Sequence, residues 1–193
     1  VQVQRDQIDA AVCPQPGGMQ AVGLTGINVV VETPNHVLSN LAASPAAAAS
    51  WVRSNIQAYP KVSFRYVCVG NEVDGGATRN LVPAMKNVHG ALTSAGLGHI
   101  KVTTSVSQAI LGVYSPPSAG SFTAEAAAFM GPVVQFLART GAPLMANIYP
   151  YLAWASFTED VVISHQARGG LPEPTFPGYD LWENPLTPCM CRA

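Results

Sequence analysis

Phe64-Arg65-Tyr66-Val67-Cys68-Val69-Gly70-Asn71-Glu72-Val73 is an apolar run that stops abruptly on an amide and a carboxylate. A strand hydrophobic on both faces is expected where helices cover both sides of a parallel sheet. A carboxylate at the C-terminal mouth of such a strand stands where (β/α) barrels hold their reacting groups. Taken alone, the same residues also describe a surface Glu opening a loop, so the surrounding chain has to decide.

Upstream, residues 27–31 are a β-branched run closed by Thr33-Pro34-Asn35, which predicts a buried strand and a turn. Leu38-Ser39-Asn40-Leu41 and an Ala-rich segment reaching Arg53 follow, and Ser44-Pro45 there has the form of an N-cap with Pro at the first helical position. Downstream, residues 78–94 place Leu81, Met85, Val88 and Leu92 on one helical stripe, and Ala95-Gly96-Leu97-Gly98 supplies the stop. Residues 100–106 predict a third strand. After a loop containing Pro116-Pro117-Ser118-Ala119-Gly120, residues 125–138 predict a helix with Phe129, Val133, Phe136 and Leu137 on one face. Residues 143–149 predict a fourth strand, running into Pro150-Tyr151. Strands recurring at intervals of about 35 to 45 residues with helices between them are the signature of βαβ units and a parallel sheet. That rhythm is shared by open doubly wound sheets and closed barrels. Residues 1–22 predict loop or frayed helix, because Pro14, Pro16, Gly17 and Gly18 interrupt any pattern. Residues 156–193 read as irregular, with one candidate strand at 160–163.

The chain has 193 residues, a hydrophobic share of 48% and a formal net charge of −1, enough for one domain with a sizeable core. The near-neutral balance and the lack of a Lys/Arg cluster argue against a nucleic-acid partner. The apolar runs at 42–52 and 124–130 are too short or too interrupted to span a bilayer, so no membrane insertion is expected. Cys13 and Cys68 are isolated, and Cys189-Met190-Cys191 has no second pair or His cluster beside it, so no metal site is predicted. There is no Gly-x-Gly-x-x-Gly, Walker or Gly-x-Ser-x-Gly motif, and no cofactor is expected. His89 and His99 read as structural or solvated.

What remains is carboxylate chemistry in polar and aromatic company. Asn35 closes the first strand, Asn71 and Glu72 the second, and Ser105 and Ser107 the third, while Asn147, Tyr149 and Tyr151 lie on the fourth or just beyond it. Parallel strands bring these ends to one face, where amides and hydroxyls can bond sugar hydroxyls, tyrosines can stack on pyranose rings, and Glu72 can act as acid and base.

Four blocks, in this order, resemble the plant endo-1,3-β-glucanases, family 17 of the glycoside hydrolases: Gly26-Ile27-Asn28-Val29-Val30-Val31 through Pro34-Asn35; Arg65 through Gly70-Asn71-Glu72-Val73; Ile100-Lys101-Val102-Thr103-Thr104-Ser105-Val106 with Pro116-Pro117-Ser118-Ala119-Gly120; and Gly141-Ala142-Pro143-Leu144 through Asn147-Ile148-Tyr149-Pro150-Tyr151. The resemblance covers residues 26–155. It implies an α/β fold of the (β/α)8 TIM-barrel type, with residues 1–193 forming a single but incomplete barrel domain and 156–193 an irregular tail. It also implies an extracellular or vacuolar protein, favoured as a monomer, that cleaves internal β-1,3 links of glucan with retention of configuration and serves plant defence or the cell wall. Glu72 matches the family's acid/base, Asn71 the amide that helps hold the sugar, and Tyr149 an aromatic of the cleft, with Asn35 and Tyr151 as further substrate contacts. The family's Gly-Val-x-Tyr-Gly first strand and its Ser-Glu-Ser-Gly-Trp-Pro nucleophile motif have no counterpart here, so the nucleophile is unassigned and hydrolysis by this chain is expected to be close to absent. The alternatives are a non-catalytic glucan-binding protein on the same scaffold, or a related barrel acting on β-1,4-mannan or cellulose.

Overall fold

The computed structural model describes residues 10–12, 16–23, 25–113 and 117–147, all within one compact unit. In chain order these form β1 (Ala10–Val12), α1 (Pro16–Val22), β2 (Asn28–Thr33), α2 (Leu38–Ala43), α3 (Pro45–Val52), β3 (Ser63–Asn71), α4 (Leu81–Ser94), β4 (Lys101–Ser107), β5 (Leu111–Val113), β6 (Ser121–Phe122), α5 (Ala124–Thr140) and β7 (Met145–Asn147). β1, β2, β3, β4 and β7 make one sheet in that order, every pair parallel. β5 and β6 form a separate antiparallel ribbon in the loop after β4.

The two faces of the sheet have different jobs. Val29 and Val31 of β2, Val67 and Val69 of β3, and Val102 and Val106 of β4 join a large core with Leu38 and Leu41 of α2, Val52 of α3, Met85, Val88 and Leu92 of α4, and Met130, Val133, Phe136 and Leu137 of α5. Side chains alternate across a strand, so the residues between them point the other way: Val30, Tyr66 and Cys68 pack with Met145 in a second, smaller cluster. One face is therefore covered by helices, and the other faces what would be the inside of a barrel. His89, expected to be structural or solvated, packs edge-on against Phe136, with ring centroids 5.8 Å apart.

Local chemistry explains the boundaries. The Ser44 hydroxyl accepts from Ala47 N–H at 3.3 Å ahead of Pro45, as the Ser-Pro pair predicts. Gly96 (φ +74°) ends α4 in a Schellman arrangement, with Leu97 N–H on Leu92 C=O at 2.8 Å and Gly96 N–H on Thr93 C=O at 3.1 Å. Asn87 Nδ2 donates to the Leu41 and Ala42 carbonyls at 2.7 and 3.1 Å, tying α4 to the exposed end of α2.

Two expectations need correcting. Residues 10–12 are a strand, where loop or frayed helix was expected: three residues are too few to show a period, and their order comes from pairing with β2 at Ala10↔Val29. Pro16 and the glycines after it start α1 instead of breaking it, since proline at the first helical position gives up only an N–H that would have no partner there. The sheet thus has five strands among the described residues, one more than the sequence reading found. The candidate strand at 160–163, the tail to 193 and the Cys189-Met190-Cys191 pair lie outside the described residues.

Candidate active site

The site is built where β3 stops. The β3–β4 register shifts between Cys68 and Asn71, and within that shift Gly70 adopts φ +72°. A Cβ there would stand 2.5 Å from Val73 Cγ2, 3.0 Å from Leu38 Cδ1 and 3.3 Å from Asn35 Oδ1, so both conformation and space require glycine. The backbone polar groups of Gly70 are met by buried threonines: its N–H donates to Thr33 Oγ1 at 3.1 Å, and its carbonyl accepts from Thr104 Oγ1 at 3.3 Å.

Asn71 is held by a side chain acting as a strand. Asn35 Nδ2 donates to the Asn71 carbonyl at 2.7 Å, and Asn71 N–H donates to Asn35 Oδ1 at 2.8 Å. This reproduces the double hydrogen bond of a sheet pair just past the end of β2. Asn35, expected to hold substrate, here holds the main chain of the residue before Glu72.

Glu72 has φ +49°, the one non-glycine in the left-handed region among the described residues. Such a conformation costs on the order of 1 to 3 kcal/mol and persists where neighbours over-determine it. Its N–H donates to the Ser105 carbonyl at 2.9 Å, which fixes the turn to β4. Its Oε1 accepts from Asn147 Nδ2 at 2.7 Å, and the same nitrogen donates to Asn71 Oδ1 at 2.8 Å. Ser105 Oγ donates to Asn147 Oδ1 at 2.7 Å. β3 and β7 are not neighbours, since β4 lies between them. Two strand spacings span about 9.5 Å on a flat sheet, so these contacts require a sheet that is concave on this face.

Of the strand-end residues, Asn35, Asn71, Glu72, Ser105 and Asn147 do converge. Ser107 does not: its hydroxyl accepts from Ala109 N–H and starts a single 3-10 turn. Tyr149 and Tyr151 lie outside the described residues. Thr33 and Thr104 were missed as supports, although polar residues inside otherwise apolar strands are the signal that could have found them.

One more carboxylate faces the inside. Glu32 pairs in register with Cys68, and burial raises its pKa above the ordinary carboxylate value. Burial also pushes the Cys68 thiol far up, reinforced by the charge of Glu32 and opposed by a hydrogen bond from the backbone of Ser105. Glu32 lies level with a residue four positions before Glu72, roughly 13 Å along the strand at 3.3 Å per residue. That is too far for the 5 to 5.5 Å that separates the carboxyl groups of a retaining pair. Among the described residues no group of three or more His, Cys, Asp or Glu could hold a metal ion, and no helix is long and apolar enough to cross a membrane.

A family model described as "Glycosyl hydrolases family 17" matches residues 9–165. The chain belongs to this family. The family match starts before β1, and so takes in the strand that the resemblance over 26–155 left out. "Lichenase-2" of Hordeum vulgare is 89% identical over 142 residues, covering 74% of this chain and 46% of that protein. "Glucan endo-1,3-beta-glucosidase GII" of Hordeum vulgare is 47% identical over 137 residues, covering 70% and 40%. A solved structure from a study of two plant β-glucan endohydrolases with distinct substrate specificities superposes with a TM-score of 0.73 at 85% identity, covering 75% of this chain and 48% of that one. The chain thus spans less than half the length of these relatives. The fold of this family 17 member is of the (β/α)8 barrel type, and the described residues supply five of its parallel strands.

Proposed function

We propose that this face is the acid/base half of a retaining β-glucan endohydrolase, with Glu72 as the proton donor and acceptor. The observation that carries it is the setting of Glu72: a strained residue at the strand mouth, with one carboxyl oxygen held by the amide that also holds Asn71. Because Oε1 accepts from Asn147, the transferable proton belongs on Oε2. In the first step that proton passes to the glycosidic oxygen as the C1–O bond breaks, and a second carboxylate forms an ester to C1. In the second step Glu72, now ionised, takes a proton from water as the water oxygen attacks C1, releasing the sugar and the second carboxylate. The second carboxylate is not assigned to any described residue. Asn71, Asn35, Tyr149 and Tyr151 are proposed sugar contacts, and the partner is an extracellular or vacuolar β-glucan.

The 89% relative is named a lichenase and the 47% relative an endo-1,3-β-glucosidase, so lichenan and laminarin are the substrates to compare. The test is release of reducing ends from each by the chain and by Glu72→Gln. Product that disappears with Glu72→Gln supports the reading, and product unchanged by it refutes the role of Glu72. Oligosaccharide binding that survives Glu72→Ala and never yields product favours the non-catalytic glucan-binding alternative.

A further inference from the structure

We propose that Ser105 is a positioning residue, whose hydroxyl fixes which way the Asn147 amide faces and thereby keeps Asn147 a donor to Glu72. The inference rests on Glu72 being the acid/base. An asparagine amide can turn by half a revolution and exchange its oxygen with its nitrogen. In the observed orientation every group is matched: Nδ2 gives one hydrogen to Asn71 Oδ1 and the other to Glu72 Oε1, and Oδ1 receives the Ser105 hydroxyl.

The ionised Glu72 enforces this orientation by itself, because a carboxylate only accepts. Once Glu72 is protonated, as it must be before bond cleavage, that constraint lapses. The acid could then donate its proton to a turned Asn147 Oδ1, and the proton would point into the protein instead of at the glycosidic oxygen. Ser105 opposes the turn. It is buried, with 7% of its surface exposed, and the hydrogen bond to Asn147 Oδ1 is the one its hydroxyl donates. Turning the amide would strand that hydroxyl hydrogen without an acceptor, and a buried unmatched donor is strongly disfavoured. Ser105 thus maintains the donor geometry in the protonation state where Glu72 cannot.

The test compares the full chain with Ser105→Ala and Ser105→Thr, each checked for an unchanged circular dichroism spectrum. On the better of lichenan and laminarin, Ser105→Ala is expected to lower kcat about tenfold with KM little changed, and Ser105→Thr, which keeps the hydroxyl, to restore it. In 15N spectra, the two Asn147 side-chain N–H signals should be distinct and slow to exchange in the parent and in Ser105→Thr, and weakened or averaged in Ser105→Ala. An alanine variant with parental kcat and parental amide signals, or a threonine variant that behaves like alanine, overturns the assignment. If the chain hydrolyses neither glucan, the acid/base reading falls, while the amide signals still decide whether Ser105 orients Asn147.

Discussion

Gly70→Ala is the sharpest perturbation available, because its cost has two separable parts. The first is conformational: an L-residue at φ +72° loses about 1 to 2 kcal/mol to the clash of Cβ with its own backbone. The second is packing. The new methyl would lie 2.5 Å from Val73 Cγ2 and 3.0 Å from Leu38 Cδ1, and Leu38 has only 1% of its surface exposed, so neither neighbour can swing into solvent. Overpacking of this kind costs about 1 to 3 kcal/mol, for a total of about 2 to 5 kcal/mol. Gly26 provides the control, since it has the same φ of +72° but nothing within 4 Å of its would-be Cβ. Gly26→Ala therefore carries only the conformational part, and the gain from a stiffer unfolded chain cancels between the two variants. Urea unfolding followed by circular dichroism measures the difference. With a slope of about 2 kcal/mol per molar for a protein of this size, an extra 2 kcal/mol moves the midpoint by about 1 M. Equal midpoints for the two variants would refute the reasoning, because they would mean that the approach of Leu38 and Val73 does not constrain this turn.

Two further outcomes follow from the site. Asn35→Ala removes both hydrogen bonds that hold the Asn71 main chain; at about 0.5 to 1.5 kcal/mol each, a stability loss of about 1 to 3 kcal/mol is expected in urea titrations, with glucan turnover falling more than glucan binding, and loss of binding alone would contradict the clamp. For Glu32 the folded pKa is raised by burial, so its protonated form favours the fold: that contribution is fully present below the unfolded value near 4.5 and is lost as pH rises through the folded pKa. Glu32→Gln should accordingly unfold later than the parent in urea at pH 7, and the advantage should vanish below about pH 4; a constant difference across that range would argue against a burial penalty.

The elements that the sequence declared were those with enough length to show a period. β3 and β4 were legible as apolar runs, α4 and α5 as stripes, and the ends of α3 and α4 through Ser44-Pro45 and Gly96. β1 was not, because three residues have no period, and the β5–β6 ribbon was hidden in a loop marked only by Pro and Gly. At the site, Asn71 and Glu72 stood out because they interrupt an apolar run. The role of Asn35 did not, because its partner lies 36 residues away and nothing local distinguishes an asparagine that contacts a ligand from one that completes a sheet. The left-handed backbone of Glu72 was equally silent, since glutamate has no preference for that region and tertiary contacts impose it.

The reach of Asn147 across β4 has a consequence for how the site comes into being. Its bonds to Asn71 and Glu72 join residues 76 and 75 positions apart, and no shorter piece of chain contains both ends. A nascent chain can pair β2 with β3 and set the backbone around Glu72, yet the carboxyl group acquires its donor only when β7 has docked and the sheet has bent. Assembly of the proton-handling group is therefore among the last acts of folding, and the alignment of Glu72 is set by the curvature of the whole sheet rather than by any loop that carries it.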